Sequence, residues 1–213
     1  MITSEDEAKN WLRALPECDD AAFSRLERLV AALMQENARQ NLVSAASLSA
    51  VWQRHIADSA QLLRNVPRET SSPWLDLGTG AGFPGLVIAA LLPDVRVVMV
   101  ESRQLRAAWL NRMCTALHLE SAEIVPQRIE LVETAPFRVI SARAFAPFSR
   151  LLSLSARFST EDTIWLLPKG RSAQQELQSL AGWQHMFHVE QSLTDSEAGI
   201  VVGTLHGRKG RKT

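Results

Sequence analysis

Trp74-Leu75-Asp76-Leu77-Gly78-Thr79-Gly80-Ala81-Gly82-Phe83-Pro84-Gly85 is the stretch whose reading decides the fold. A short apolar run ends at Asp76-Leu77, glycines follow at 78, 80 and 82, and Phe83 to Leu92 has the apolar continuity of a buried helix. The pattern is strand, glycine loop, helix. Glycine admits positive φ and removes the Cβ that would hold a ligand off the backbone. The N-terminus of the following helix offers unpaired N–H groups and the positive end of its dipole. Such a turn suits a nucleotide-like ligand with an anionic end.

Two cofactor classes compete for this turn. The dinucleotide fingerprint G-x-G-x-x-G is present at Gly80, Gly82 and Gly85, but its first glycine belongs directly after the strand, and here it comes three residues past Leu77. Counted from the strand end, Asp76-x-Gly78-x-Gly80-x-Gly82 is instead similar to the first motif of class I S-adenosylmethionine (AdoMet) methyltransferases. The next apolar run, Val95 to Val100, ends at Glu101. An acid about twenty residues past the glycines can accept both ribose hydroxyls. It serves AdoMet and NAD equally well.

Toward the N-terminus the pattern is helical. Thr3 or Ser4 caps a first helix with Glu5, Asp6 and Glu7 in its opening turn, and Ala8, Trp11, Leu12 and Leu15 recur at helical spacing before Pro16. A second helix, from about Asp20 to Ala38, aligns Phe23, Leu26, Val30, Leu33 and Met34 on one face. Ser47 is placed to cap a third, from Leu48 to Leu63, with Val51, Trp52, His55, Ile56, Ser59 and Leu62 on one side. Residues 1–66 therefore read as a helical cap region. In the third helix His55, Asp58 and Ser59 fall at i, i+3 and i+4. One helical face cannot hold a nucleophile, base and orienter in line, so this is no serine-hydrolase triad. A polar patch docking the helix on the main domain and a substrate contact both fit it.

Toward the C-terminus the pattern is α/β. Arg103 to Leu117 is helical, with Leu105, Trp109, Met113 and Leu117 facing inward, and Ala122 to Val125 is a strand. The loop Pro126 to Glu130 lies where an adenine edge would be read, with Arg128 and Glu130 as polar candidates. Phe137 to Ala142 is a fourth strand, and a helix starts near Ala146-Pro147. A fifth strand, Thr163 to Leu167, stops at Pro168-Lys169-Gly170, and Ala173 to Leu180 is helical. His185 to Glu190 and Gly199 to His206 close the sheet as an antiparallel pair. The expected fold of residues 67–206 is thus a seven-stranded Rossmann-like sheet with helices on both faces, the class I AdoMet-methyltransferase pattern. A dehydrogenase would need more chain for its substrate. Residues 207–213 add a basic tail without apolar residues.

The whole chain sets bounds on these readings. Its 213 residues, 46% hydrophobic and 22% charged, suit one globular domain with an appendage. No apolar run is long enough for a bilayer and the start is acidic, so a cytoplasmic location is expected. Cys18 and Cys114 are far apart with no C-x-x-C or His cluster, which argues against a disulfide framework and a metal. Zero formal net charge excludes a generic polyanion binder. Of the 23 basic residues 19 are Arg, whose forks match phosphates and stack on bases, though codon usage would give the same bias.

The end of the fourth strand, Ile140-Ser141-Ala142-Arg143-Ala144, narrows the acceptor. It lacks the (D/N)PPY-type motif that accompanies methylation of an exocyclic amine, and no cysteine is near to act as the nucleophile of 5-methylcytosine formation. Hydroxyl methylation needs a base or a metal, and neither a carboxylate nor a His is offered there. An acceptor with a ready lone pair remains, and guanine N7 is one, because it attacks a sulfonium methyl without losing a proton. Its product ring is cationic, so Arg143 would hold O6 or a phosphate rather than point at N7. N7 lies in the deep, narrow groove of A-form RNA, so the target must be looped or flipped out.

The chain resembles the bacterial ribosomal RNA small-subunit methyltransferase G family. The resemblance rests on Asn41-Leu42, Arg54-His55-Ile56-Ala57-Asp58-Ser59, Asp76 to Gly85, Glu101-Ser102, Arg128, Ser141 to Ala146 and Lys169-Gly170. It implies formation of 7-methylguanosine in 16S rRNA, with that rRNA or the small subunit as partner; a monomer with no membrane partner is expected. It implies that Asp76, Gly78, Thr79, Gly80, Gly82, Phe83, Glu101, Ile129, Glu130 and Arg143 line the AdoMet site. It places Arg128, Arg143 and Lys169 near the transferred methyl and the RNA, as the catalytic set, with no metal. Where the family carries Lys-Arg after the acidic residue and Ser, this chain has Leu105-Arg106, one positive charge fewer. A methyltransferase for another RNA or a small molecule, an NAD-binding oxidoreductase or sensor, and a non-catalytic AdoMet-binding module are the alternatives.

Overall fold

A computed structural model describes residues 1–67 and 72–209. Part of the polar link before Pro73 and the end of the basic tail lie outside them. Strand β1 (Trp74–Leu77) is fully buried and lies inside the sheet, third of its seven strands. Its apolar continuity is what a parallel strand covered on both faces requires. It pairs in parallel with β2 (Val97–Val100) on one side and β4 (Val139–Ser141) on the other. Strand β3 (Ala122–Val125) extends the sheet beyond β2, and β5 (Ile164–Lys169) beyond β4. The chain therefore winds outward from β1 in both directions. That reversal opens a crevice at the carboxyl ends of β1 and β4, where open α/β sheets bind ligands.

The sheet closes with two antiparallel strands, β8 (Gly199–Gly203) beside β5 and β7 (His188–Gln191) beyond it, giving the order β3-β2-β1-β4-β5-β8-β7. The seven-stranded sheet is as expected, but each of the last two expected strands is split. Strands β7 and β8 join the sheet, while β6 (Trp183–His185) and β9 (Leu205–Arg208) form a separate ribbon. The break falls at Gly203, where φ is +146° and an added Cβ would lie 2.3 Å from the Met186 carbonyl oxygen. Gly207 and Arg208 belong to β9, so regular structure runs past the expected start of the tail. Pro168 does not stop β5 either. Strand β4 has ended opposite Leu166, and Pro168 pairs only on its β8 side, with Ile200.

Helices α1 (Glu5–Arg13) and α2 (Asp20–Gln40) are capped by Ser4 and Asp19, whose side chains accept from the N–H groups of Glu7 and Ala22. Leu12, Phe23, Leu26 and Leu33 are buried in one core with Leu86, Ile88 and Trp109 of the sheet-flanking helices. Met34, expected on this face, is exposed. The third helix departs further from expectation. Ser44, not Ser47, caps the short α3 (Ala45–Leu48), and the chain then passes through a π-turn at Trp52–Ala57, α4 (Asp58–Ala60) and a 3-10 segment at Gln61–Asn65. The expected inner side is nevertheless buried from Val51 to Leu62.

On that same face of the sheet lie α5 (Gly85–Leu91) and α6 (Gln104–Ala116). Helix α5 starts two residues later than expected, because Gly82 and Phe83 both donate to the Thr79 carbonyl in a turn. In α6, Trp109, Met113 and Leu117 point inward as expected, whereas Leu105 is 73% exposed. It sits in the first turn, which overhangs the carboxyl end of the sheet where no core remains. Helices α7 (Phe148–Ser155) and α8 (Ala173–Gln178) cover the opposite face with Phe137, Phe158, Trp165 and Phe187. Cys18 is buried and Cys114 half-buried, both free. Among the described residues, no His/Cys/Asp/Glu group could hold a metal, and no helix is long and apolar enough to cross a membrane.

Candidate active site

Two cavities adjoin at the crevice. The smaller, about 390 Å³, is lined by Gly78, Glu101, Ile129 and Glu130 from the expected cofactor set, and by Arg128. The larger, about 820 Å³, is lined by Arg143 and Lys169 together with Arg54, His55, Asp58 and Glu176. Ala144, Phe145, Ala146 and Pro147 line both, so this segment is the wall between them. The expected catalytic set is thus divided: Arg143 and Lys169 share the larger cavity, and Arg128 lies in the smaller one. Arg143, expected at both, borders only the larger.

The glycines separate by role. Gly78 lines the cleft at φ +65°, and a Cβ there would come 2.4 Å from the Phe145 ring, so that ring fills the missing side chain's place. The Gly80 N–H donates to Glu101 Oε2 at 3.0 Å, which draws the loop onto the acid. The other oxygen, Oε1, accepts from Arg103 N–H at 2.8 Å. Gly82 serves packing, since Leu86 occupies the space beside it. Thr79 is buried, and Phe83 is buried against His55 rather than in the cleft.

Asp76 also turns inward. It is fully buried, with Oδ1 accepting from Ser141 Oγ at 2.7 Å and Oδ2 from Gly85 N–H at 2.9 Å. Trp74 Nε1 donates to the same Ser141 oxygen at 2.9 Å. The carboxylate thereby ties the end of β1 to the start of α5 and to β4. Burial pushes it above the usual carboxylate range, against the pull of its hydrogen bonds. Its role is to hold the turn's shape, and it does not border either cavity.

In the larger cavity every basic or acidic group is engaged. Arg143 donates to Asp58 Oδ2 at 3.2 Å and to the Arg54 carbonyl at 3.3 Å, and its Nη2 lies 2.9 Å from His55 Nδ1. Burial, then the charges of Arg143 and Arg54, lower His55 to about 3, so its ring is neutral. That ring stacks on Phe83 at 4.8 Å. Lys169 donates to Glu176 at 2.8 Å and lies over the Phe148 ring. Burial pushes Glu176 up, but the hydrogen bonds from Lys169 and Ser172 outweigh it and leave it below the ordinary range. The His55–Asp58–Ser59 face therefore both docks the cap and borders the cavity: Ser59 Oγ bonds back to the His55 carbonyl, while Asp58 also accepts from Gln61 and Thr194.

The residues of the smaller cleft fit AdoMet. A glycine turn brings backbone to its floor, Glu101 would be placed to accept ribose hydroxyls, and Gln127 to Glu130 would offer backbone and side-chain groups to an adenine edge. Missing from the sequence reading were Phe145, whose contact with Gly78 spans the fold, and Glu176, which partners Lys169. Phe145 lay within the family-like string Ser141 to Ala146, the one signal that could have raised it.

Sheet order, glycine turn and acid at the switch point define a class I AdoMet-dependent methyltransferase. The family model described as GidB, rRNA small subunit methyltransferase G, matches residues 22–198, and the chain belongs to that family. It is 58% identical over 207 residues to the Ribosomal RNA small subunit methyltransferase G of Novosphingobium aromaticivorans, covering 96% of this chain and 90% of that one. It is 58% identical over 204 residues to the protein of the same name from Erythrobacter litoralis, covering 95% and 97%. A TehB-like SAM-dependent methyltransferase from Corynebacterium glutamicum shares the fold at a TM-score of 0.53, with 16% identity and coverage of 70% of this chain and 87% of that one.

Proposed function

We propose that the protein transfers the methyl group of AdoMet to N7 of a guanosine in 16S, small-subunit rRNA. The observation that carries this reading is the absence of a free base in the larger cavity among the described residues. His55 is neutral with Nδ1 facing Arg143, Asp58 is paired with Arg143, and Glu176 is paired with Lys169. An amine or hydroxyl acceptor needs a group to take its proton. Guanine N7 needs none.

When bound, AdoMet supplies an electrophilic methyl on a sulfonium. The chain's part is to hold and orient. Glu101 and the 127–130 loop would hold the cofactor, and Arg143 and Lys169 would hold the guanine O6 or a flanking phosphate. Positioning of this kind contributes up to about 7–11 kcal/mol, enough to leave little for acid/base chemistry. The reading takes the protein as a monomer, and a ribosomal substrate supports a cytoplasmic location.

The test is incubation with methyl-labelled AdoMet and small subunits lacking the modification, followed by nucleoside digestion. Label in 7-methylguanosine is expected. Label in any other nucleoside, or in none, overturns the reading.

A further inference from the structure

The cofactor cleft is ringed by arginines. Arg103 and Arg106 come from the start of α6, Arg128 from the loop after β3, and Arg150 from the first turn of α7. Arg103, Arg128 and Arg150 are exposed and Arg106 is half-buried. None of the four makes a salt bridge among the described residues, whereas Arg54, Arg96, Arg112, Arg138, Arg143 and Arg171 all do. Facing them are only Glu101, whose two oxygens already accept from backbone N–H groups, and Glu130.

The cofactor gives no reason for this field. AdoMet carries an ammonium, a sulfonium and one carboxylate, and a net positive ligand is repelled by surplus guanidinium groups. The arginines are therefore set for an anion that lies outside the cleft. Resting on the rRNA-methyltransferase reading above, we propose that this rim is a docking surface for the phosphate backbone of the rRNA, which crosses the mouth of the cofactor cleft while the target base enters the neighbouring cavity. Guanidinium forks suit phosphate oxygens, and such contacts fix register without reading sequence. The shared wall from Ala144 to Pro147 makes the two placements neighbours, so a strand on the rim delivers the next nucleotide to Arg143 and Lys169. RNA on the rim cancels its field, so RNA and AdoMet strengthen each other's binding reciprocally.

The test compares two double variants by equilibrium binding to protein-free 16S rRNA and to small subunits lacking the methyl group, across a salt series. In Arg103→Gln/Arg150→Gln, the plot of log affinity against log salt flattens by about 1.5 units, from two lost phosphate contacts. Its AdoMet affinity, read by calorimetry without RNA, does not weaken. In Arg96→Gln/Arg138→Gln, at the amino end of the sheet strands, the slope stays as in the wild type. An unchanged slope in the rim variant, equal flattening in both variants, or AdoMet affinity that weakens in step with RNA overturns the inference. A wild-type protein that labels rRNA while the rim variant binds RNA unaltered sinks the rim alone. A wild type that neither binds nor labels rRNA sinks the parent reading, and the rim with it.

Discussion

Nδ1 of His55 lies 2.9 Å from Nη2 of Arg143, and a guanidinium has only hydrogens to offer. Nδ1 is therefore the acceptor and Nε2, buried without a partner, carries the ring's hydrogen. Protonating Nδ1 would set a cation against Arg143, and burial opposes it further, which is why the group falls to about 3. The unfolded chain takes up this proton near pH 6.5 and the folded chain does not, so the folded state binds fewer protons between those values. Stability from His55 is complete above about pH 6.5 and is lost as pH falls toward 3, at up to about 1.4 kcal/mol per pH unit. Urea unfolding from pH 4 to 7 should show a steeper loss for the wild type than for His55→Gln. Parallel curves would mean that His55 titrates normally in the fold.

Arg143→Ala should separate binding from transfer. Arg143 borders the larger cavity and not the cofactor cleft, so AdoMet affinity should stay within about twofold, as for sites that share no partner. Transfer to rRNA should fall by about a hundredfold or more, the cost of misplacing one reactant. Of the partners left behind, Asp58 still accepts from Gln61 and Thr194, while His55 Nδ1 loses its donor, so the variant should fold with a modest loss of stability. Turnover near the wild-type value would reduce Arg143 to a docking group for the cap.

Two glycines of the same loop should respond differently to a methyl group. At Gly80 the nearest atom to an added Cβ is Arg106 Nη1 at 3.5 Å, so Gly80→Ala carries the left-handed backbone penalty of about 1–2 kcal/mol. At Gly82, with φ +107°, the Cβ would fall 2.3 Å from Leu86 Cδ1 and 2.7 Å from its Cγ. Overpacking adds to strain there, and Gly82→Ala should cost about 2–4 kcal/mol in denaturant unfolding. Equal losses at the two positions would show that the contact with Leu86 relaxes freely.

What could be read from the residues follows from how local each feature is. The strand from Trp74, the glycine turn and Glu101 lie within one βαβ unit, so spacing alone placed them. Burial on both faces made the inner parallel strands β1 and β2 continuous apolar runs, and that is why they were legible. Asp76 was not, because a strand residue faces one side or the other, and its contacts with Gly85 and with Ser141, 65 residues away, are what show that it points inward. Leu105 has the right helical spacing for the core but lies in a turn beyond the sheet's edge. The separation of Arg128 from Arg143 and Lys169 depends on the wall at Ala144–Pro147, a loop with Ala144 at φ +51° that no propensity foretells.

Ser141→Ala tests the buried link beneath the site. The hydroxyl donates to Asp76 at 2.7 Å and accepts from Trp74 Nε1 at 2.9 Å, and all three residues are fully buried. Removing it leaves a donor and a carboxylate oxygen unpaired at once. Each such loss costs about 1–3 kcal/mol, so the variant should be about 2–6 kcal/mol less stable at pH 7. The penalty also has a direction in pH. Burial already holds Asp76 above its ordinary value, and the lost donor stabilised the ionised form, so the carboxyl rises further in the variant. A raised folded-state value means that the folded variant gains a proton before the unfolded chain does as pH falls. The difference from wild type should therefore shrink as pH falls from 7 toward the usual carboxylate range and grow as it rises again. Denaturant unfolding of both proteins at pH 7 and pH 4.5 measures it. A difference below about 1 kcal/mol at pH 7, within the ordinary scatter of surface changes, would show that the hydroxyl does not hold the carboxylate in place.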